Sequence, residues 1–343
     1  MSIETRATAP AQRATITDVA RVAGVSVATV SKVINGRYGV AADTITRVMK
    51  VVSDLGYESS LVASSLRRSR TNVIGILVAE FEPFSTEILK AIAAANSTSG
   101  YELLAYSGPN GDEYRVGWEL RSLSRLAGTL IDGAIIVTPT VLMDKTSIPV
   151  VAIDPHTGKG GPSTVGSDNV DGARTATAYL ISLGHRRIAH IRGRTDLESA
   201  QLRELGYRQS LADADIPFDA SLVRDGHYRA PQTDDAAREL LTRPDRPTAI
   251  FAANDLSAIR VLEVAAELGI RVPEELSVIG FDDVPDAAGA TPSLTTMAQP
   301  LKEMGANALQ LLLGLLGGDD VARHVQLPAQ LVVRASTAPP PSH

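Results

Sequence analysis

Short apolar, β-branched runs recur along most of this chain, and each alternates with a segment of helical spacing. The first series reads "NVIGILVA" at 72–79, a helical pattern over 86–97, "YELLAYS" at 101–107, a helical pattern over 112–127, "DGAIIVTP" at 132–139 and "PVVAID" at 149–154. The second runs through helical spacing at 168–183, "RIAHIRG" at 187–193, a helix at 198–213 and a strand near Leu222 and Val223. It continues with a helix at 233–242, "AIFAAND" at 249–255, a helix at 256–268 and "LSVIGFDD" at 276–283. Runs that are apolar throughout belong to strands covered on both faces, and strands alternating with helices build a parallel, doubly wound sheet. Two such series predict two α/β subdomains. Their loops at the C-terminal ends of the strands would face each other across a cleft that can close on a small molecule.

The first seventy residues follow another rule. In "ITDVARVAGVSVATVSKVING", residues 16–36, Ile16, Val19, Ala20 and Ala23 keep helical spacing. Thr15 or Thr17 can cap that helix, Asp18 suits its first turn, and Gly24 suits a left-handed stop. Ser26 can cap a second helix carrying Val27, Val30, Val33 and Ile34, which Asn35-Gly36 ends. A third apolar series, Ile45, Val48, Val52 and Leu55, closes at Gly56. Three short helices with a tight turn between the first two predict an all-α helix-turn-helix head. Charge agrees. The chain carries −6, yet residues 1–70 hold ten Lys/Arg against five Asp/Glu, so a +5 head joins a −11 remainder of 273 residues. A basic module on an acidic body is what a DNA-binding head joined to a separate domain gives. Residues 61–70, "LVASSLRRSR", form a short basic stretch with no partner helix pattern.

Other classes are disfavoured. The chain has no cysteine, which removes disulfides, thiolate metal sites and a cysteine nucleophile, and fits a reducing cytosol. No apolar run approaches a membrane span, and "MSIETRATAPAQRA" lacks the apolar region of a secretory leader. We therefore expect a cytoplasmic protein without membrane contact, and read 1–13 and 336–343 as flexible tails. No phosphate-binding glycine loop, paired-histidine metal motif or nucleophile–base pair occurs, so no enzyme, metal or cofactor is expected. His185 and His190 are read as satisfied strand-edge histidines. What stands out is a polar set at or beside strand ends: Asp154, Arg203, Asn254, Asp282 and Asp283. Such groups hold hydroxyls through paired hydrogen bonds. Phe81, Phe84 and Tyr228 lie in nearby loops, where a ring can cover a sugar or a base.

The opening stretch also resembles, nearly residue for residue, the headpiece of the LacI-type (lac repressor) family of bacterial transcription regulators. The likeness continues through "NVIGILV", "EPFSTEILKAI", "VGSDNVDGARTATAYLISLGHRRIAHI", "SAQLRELGY", "RPTAIFAANDLSAI", "LGIRVPEELSVIGFDD" and "PSLTTMAQP". It implies a head at 14–60, a hinge helix at 61–70 and a periplasmic-binding-protein-like core at 71–335. The first subdomain would comprise about 71–170 plus 300–330 and the second about 171–295. The resemblance implies that Thr17 and Arg67 bind DNA, that Thr29, Ser31 and Asn35 bond its phosphates, that Val27, Ala28 and Lys32 face base edges, and that Leu66 wedges a minor-groove step. The family often has proline where Glu58-Ser59-Ser60 stands and arginine where Ser64 stands, so the hinge departs from the pattern there. The resemblance places Phe81, Phe84, Asp154, Ser199, Arg203, Tyr228, Asn254, Asp282 and Gln299 around an effector, with Gln299 in a crossover strand. It implies a homodimer on a pseudo-palindromic operator, acting as a repressor of sugar-catabolic genes, possible effectors including xylosides or other plant oligosaccharides. A purine-responsive regulator and a sugar-binding transport protein are the alternatives.

Overall fold

The computed structural model describes residues 14–34, 38–57, 70–108, 116–143, 145–155, 161–319 and 323–341. The chain divides into two compact units, residues 1–71 and 72–343. Asn35, Leu66 and Arg67, and all of the expected hinge except Arg70, lie outside the described residues, as do 1–13.

In the head, α1 (Ile16–Ala23) opens on a capping box: Asp18 N–H donates to the Thr15 hydroxyl, and the Thr15 N–H donates to the Asp18 carboxylate at 3.0 Å. These bonds from Thr15, with Arg21 beside them, hold the Asp18 carboxyl down to about 2. Gly24 ends the helix at φ 65°. The Ser26 hydroxyl then accepts the Thr29 N–H at 3.1 Å and starts α2 (Val27–Ile34). α3 (Ala42–Asp54) covers both. The core is small: Val19, Ala20, Ala23, Val30, Val33 and Val48 are its buried members. Ile45 and Leu55 of the expected apolar series are exposed, whereas Val48 and Val52 of that series turn inward, with Val51 adding partial cover.

The second unit holds two six-stranded sheets. The first is built from β1 (Val73–Val78), β2 (Glu102–Ser107), β3 (Gly133–Val137), β4 (Val150–Ile153) and β5 (Ser163–Ser167), with β11 (His324–Leu327) arriving late. Its order is β11-β5-β4-β3-β1-β2, parallel throughout. α4 (Pro83–Ala95) and α11 (Leu301–Gly317) pack together over one face, and α5 (Trp118–Leu126) covers the other.

The second sheet uses β6 (Ile188–Arg192), β7 (Val223–Asp225), β8 (Ala249–Ala252), β9 (Ser277–Asp282), β10 (Thr295–Ala298) and β12 (Gln330–Val332). Its order is β12-β10-β9-β8-β6-β7, with only the β10–β12 pair antiparallel among the described strands. α6 (Asn169–Ser182) and α7 (Glu198–Asp213) line one face. α8 (Ala230–Leu241), α9 (Asp255–Glu267) and the short α10 (Pro285–Gly289) line the other. α6 and α7 approach so closely that a Cβ on Gly206 would sit 2.2 Å from the Val170 carbonyl, so only glycine fits there. The fully buried strands β1, β3, β4, β8 and β9 are the apolar runs of the sequence.

Two boundaries need correction. The second subdomain does not close near 295, because β10 and β12 both belong to its sheet. Nor are residues 336–341 a flexible tail. Ser336 is fully buried; its hydroxyl donates to the Val278 carbonyl at 2.6 Å and accepts the Thr295 N–H at 2.8 Å. His185 then binds the Ala338 carbonyl at 2.9 Å while also meeting Thr248 and Ser277. A short proline-rich end reads as loose because the partners that fix it lie 40 to 150 residues away in the chain. The chain thus passes between subdomains three times, near residues 168, 299 and 328.

His190 departs from the strand-edge reading as well. It is completely buried on β6, stacked between Tyr207 and Phe251 with ring centroids 5.1 and 4.8 Å away. Nδ1 bonds the Phe251 carbonyl at 2.9 Å, and Nε2 has no partner among the described residues. Burial therefore pushes its pKa down from 6.5 to about 4. The unfolded chain takes up this proton near pH 6.5 and the folded one only near 4, so stability falls as pH drops through that window. Between pH 7 and pH 5 the group should cost about 2 kcal/mol of stability. Urea unfolding at the two pH values should show that extra loss in the wild type and not in His190→Phe, which keeps the ring stack; equal losses would mean His190 does not titrate this way.

Candidate functional site

Because both sheets are parallel through their centres, their C-terminal strand ends and following loops gather polar side chains, and a cavity of about 540 Å³ lies between them. From the first sheet it takes Ala79, Glu80, Glu82, Phe84 and Ser85 after β1, Gly108 after β2, Thr138 and Thr140 after β3, and Asp154 after β4, with Trp118 from α5. From the second it takes Arg194 and Leu197 after β6, Ser199 and Arg203 on α7, His227 to Pro231 after β7, Asn254 after β8, and Asp282 at the end of β9. Gln299 joins from the segment between β10 and α11 rather than from within a strand, and Arg260 and Glu263 from α9.

Eight of the nine residues expected around an effector thus share one cavity. Phe81 is the correction: its side chain is 55 % exposed and it is absent from the wall. Glu82 explains the difference. Its carboxylate accepts the Phe84 and Ser85 N–H groups at 2.8 Å each and starts α4, which turns Phe84 inward and leaves Phe81 on the outer side of the turn. Asp283 also points elsewhere, to an ion pair with Arg334 at 2.7 Å.

Arg203 is the centre of the floor, 3 % exposed. Its Nε donates to Asn169 Oδ1 at 2.8 Å, its Nη1 donates to the Ala253 carbonyl and stands 3.6 Å from Asp282 Oδ1, and its guanidinium lies over the Phe281 ring at 3.8 Å. Asn169 Nδ2 reaches Asp154 Oδ1 at 3.4 Å. Gln299 Nε2 donates to Asp282 at 2.7 Å, and its Oε1 accepts the Ser167 hydroxyl at 2.6 Å. Burial pushes the Asp282 carboxyl upward; Arg203 pulls it back, Asp255 adds to the rise, and the Gln299 bond opposes it. Asn254 caps α9 through the Ser257 N–H at 3.0 Å. The Tyr228 hydroxyl meets the Ser199 hydroxyl at 3.2 Å, and burial raises its pKa. Tyr228 fits only because residue 193 is glycine: a Cβ there would stand 2.1 Å from the ring.

Backbone strain concentrates here. Of the eight described non-glycine residues with positive φ, five line the cavity: Thr138, Asp154, His227, Tyr228 and Asp282. Such conformations cost on the order of 1–3 kcal/mol each and persist where function fixes them. The wall's arginines are all engaged. Arg203 is bound as above, Arg194 pairs with Asp196, Arg229 pairs across the mouth with Glu80, and Arg260 pairs with Asp234, Glu263 and Glu267. The cavity therefore offers carboxylates, amides, hydroxyls and rings, with its cations already neutralised. Composition concealed this, because the Arg203–Asp282, Arg229–Glu80 and Arg260–Asp234 pairs join residues distant in sequence, and Trp118, Arg194 and Arg229 carried no motif.

In the head, α2 turns Val30 and Val33 inward, which leaves Val27, Ala28 and Lys32 exposed on the opposite face. Thr29 and Ser31 are half-buried, with Thr29 Oγ1 2.9 Å from the Ser26 hydroxyl, and Thr17 on α1 is exposed.

Arg203→Ala removes one partner of a buried charge pair and leaves Asn169 and Asp282 uncompensated. It should lower stability by about 3–5 kcal/mol, whereas Ser199→Ala should cost about 1 kcal/mol or less. Urea unfolding of both variants measures this, and equal small losses would show that Arg203 does not organise the floor.

Comparison with known proteins agrees with this division into units. The model of "Bacterial regulatory proteins, lacI family" matches residues 15–60, and that of a "Periplasmic binding protein-like domain" matches 177–337. The HTH-type transcriptional repressor PurR of Pectobacterium carotovorum is 34 % identical over 338 residues, covering 96 % of this chain and 98 % of that protein. Among solved structures, the lac repressor dimer bound to operator and the anti-inducer ONPF aligns with a TM-score of 0.79 at 28 % identity, covering 95 % of this chain and all of that one. The transcriptional regulator CelR in complex with cellobiose aligns with a TM-score of 0.70 at 32 % identity, covering 94 % of this chain and 100 % of that one. With a lacI-type head at its start and the two-sheet effector fold behind it, the chain belongs to the LacI family of ligand-responsive, DNA-binding transcription regulators.

Proposed function

We propose that this regulator is a repressor of sugar-catabolic genes and that its effector is an uncharged sugar. The observation that carries the reading is the charge state of the cavity. Arg194, Arg203, Arg229 and Arg260 are all paired, so a phosphate or carboxylate ligand would have to displace an existing partner. The remaining groups suit hydroxyls: Asp154 and Asp282 as acceptors, Asn254 and Gln299 as donor–acceptor pairs, Phe84 and Tyr228 as apolar faces. A relative whose complex holds cellobiose fits the same reading. The runner-up effector is a purine base. It too is uncharged, Phe84 and Tyr228 could stack on it, and PurR is among the relatives. The acidic lining favours the polyol. The head argues against a sugar-uptake receptor, since such a receptor needs no DNA-binding module.

We also propose a homodimer on a pseudo-palindromic operator, as in the lac repressor dimer complex. On this reading Lys32 donates to guanine in the major groove, Val27 and Ala28 make apolar base contacts, and Thr17, Thr29 and Ser31 bind phosphates. Asn35, Leu66 and Arg67 remain proposals from family resemblance.

The effector reading is tested with Asp154→Asn. Asp154 holds φ 47°, which asparagine also tolerates, so the substitution removes the charge and keeps the shape. The variant should bind operator like the wild type and lose sugar affinity roughly tenfold or more, the value of a charge-assisted hydrogen bond of about 1.5–3 kcal/mol. Operator gel shifts against graded sugar or hypoxanthine supply the measurement; a response to hypoxanthine alone would overturn the sugar assignment. For the head, Lys32→Ala should weaken operator binding by about 1–3 kcal/mol while sparing random DNA. Equal losses on both DNAs would make Lys32 a phosphate contact.

A further inference from the structure

We propose that Trp118 forms a second sugar subsite, at the far end of the cavity from the Arg203 floor, and that it selects an effector of two or more rings over a monosaccharide. This rests on the sugar reading and extends it.

The cavity is long in one direction. In the first sheet its wall runs from Asp154 after β4 to Gly108 after β2, across the order β4-β3-β1-β2. Three strand spacings make about 14 Å, longer than one pyranose ring. The acidic floor groups Asp154 and Asp282 sit towards the β4 and β9 ends, where Asn169 and Arg203 connect them. The β2 end has a different chemistry, since Gly108 and Trp118 build it.

Trp118 is held in place from both sides. The Gly117 N–H donates to the Thr140 hydroxyl at 2.9 Å. The fully buried Glu119 carboxylate accepts the Thr140 and Val141 N–H groups at 2.7 Å each. The indole lies against Gly108, where a Cβ would stand 2.9 Å from Cε3. Glycine is what leaves room for the ring beside the end of β2. The side chain is 2 % exposed, yet its Nε1–H has no acceptor among the described residues. A buried unpaired donor is costly to keep, and a ligand oxygen that reaches it removes that cost. The ring itself is packed in the core with Leu77, Leu123 and Met143, so what this end of the wall offers a sugar is the indole N–H, a donor for a hydroxyl or ring oxygen.

The chain contains one tryptophan, so its emission reports on this end of the cavity alone. The experiment uses the full-length protein with D-glucose, D-xylose, cellobiose, xylobiose and hypoxanthine. Affinity is measured by calorimetry, and emission is followed in the wild type. Variants are Trp118→Phe, which keeps a ring and removes the donor, and Gly108→Ala, which pushes the indole away without deleting it. The expected result is a disaccharide bound at least about tenfold tighter than its monosaccharide, with a shifted emission. Trp118→Phe should lose about tenfold for the disaccharide, one neutral hydrogen bond, and little for the monosaccharide. Gly108→Ala should lose the disaccharide preference as well. A disaccharide bound with unchanged emission, and equally well by Trp118→Phe, overturns the subsite and leaves the sugar reading standing. Binding of hypoxanthine alone, or of none of the five, overturns the sugar reading and the subsite together.

Discussion

A guanidinium that is 3 % exposed has to be paid for, and the core is arranged around doing so at Arg203. Desolvating a cation costs several kcal/mol unless hydrogen bonds and an opposite charge replace its water. Asn169, the Ala253 carbonyl, Asp282 and the Phe281 ring do this together. Asp282 lines the cavity beside Arg203, and Asn169, Ala253 and Phe281 back them. Asn169 begins α6 just after the first crossover, and Asp282 is tied through Gln299, at the second crossover, to Ser167 at the end of β5. One polar network therefore satisfies a buried charge, lines the cavity and joins two of the three segments that connect the subdomains.

Magnitudes separate this network from the contact at the mouth. Arg229 and Glu80 also bridge the subdomains, but their side chains are 32 % and 48 % exposed. Exposed pairs contribute about 0–1 kcal/mol. Breaking a buried pair costs about 3–5 kcal/mol. The floor, rather than the mouth, thus sets how strongly the subdomain arrangement is specified.

The sequence made the repeating units legible because their information is local. Unbroken apolar runs became the buried strands, and Thr15, Gly24 and Ser26 marked helix ends through bonds within three or four residues. Polar residues at strand ends were legible for a related reason: in a parallel sheet the C-terminal end of a strand points to the cavity whatever surrounds it. The misses share the opposite property. β12 is a short segment paired antiparallel to β10, and Ser336 is fixed by Val278 and Thr295, contacts across 40 or more residues. Phe81 and Phe84 looked equivalent until Glu82 capped α4 between them. Trp118 stood in a helical pattern like any core residue, and only the third dimension brought Gly108 beneath it.

Regulation then becomes a question of differences. A ligand shifts a conformational equilibrium only by the difference in its affinity for the two states. Contacts confined to one subdomain move with it and contribute nothing to such a difference. Asp154 belongs to the first subdomain, while Arg203 and Asn254 belong to the second, and a ligand spanning them binds best at one separation. Changing that separation by an ångström or two breaks hydrogen bonds of about 1 kcal/mol each, more where a charge is involved. Three or four such bonds supply a few kcal/mol, within the range that couples two sites in an allosteric protein. Gln299 lines the cavity at the second crossover and Asn169 backs Arg203 at the first, so the groups that would read the ligand are tied to the segments that join the subdomains.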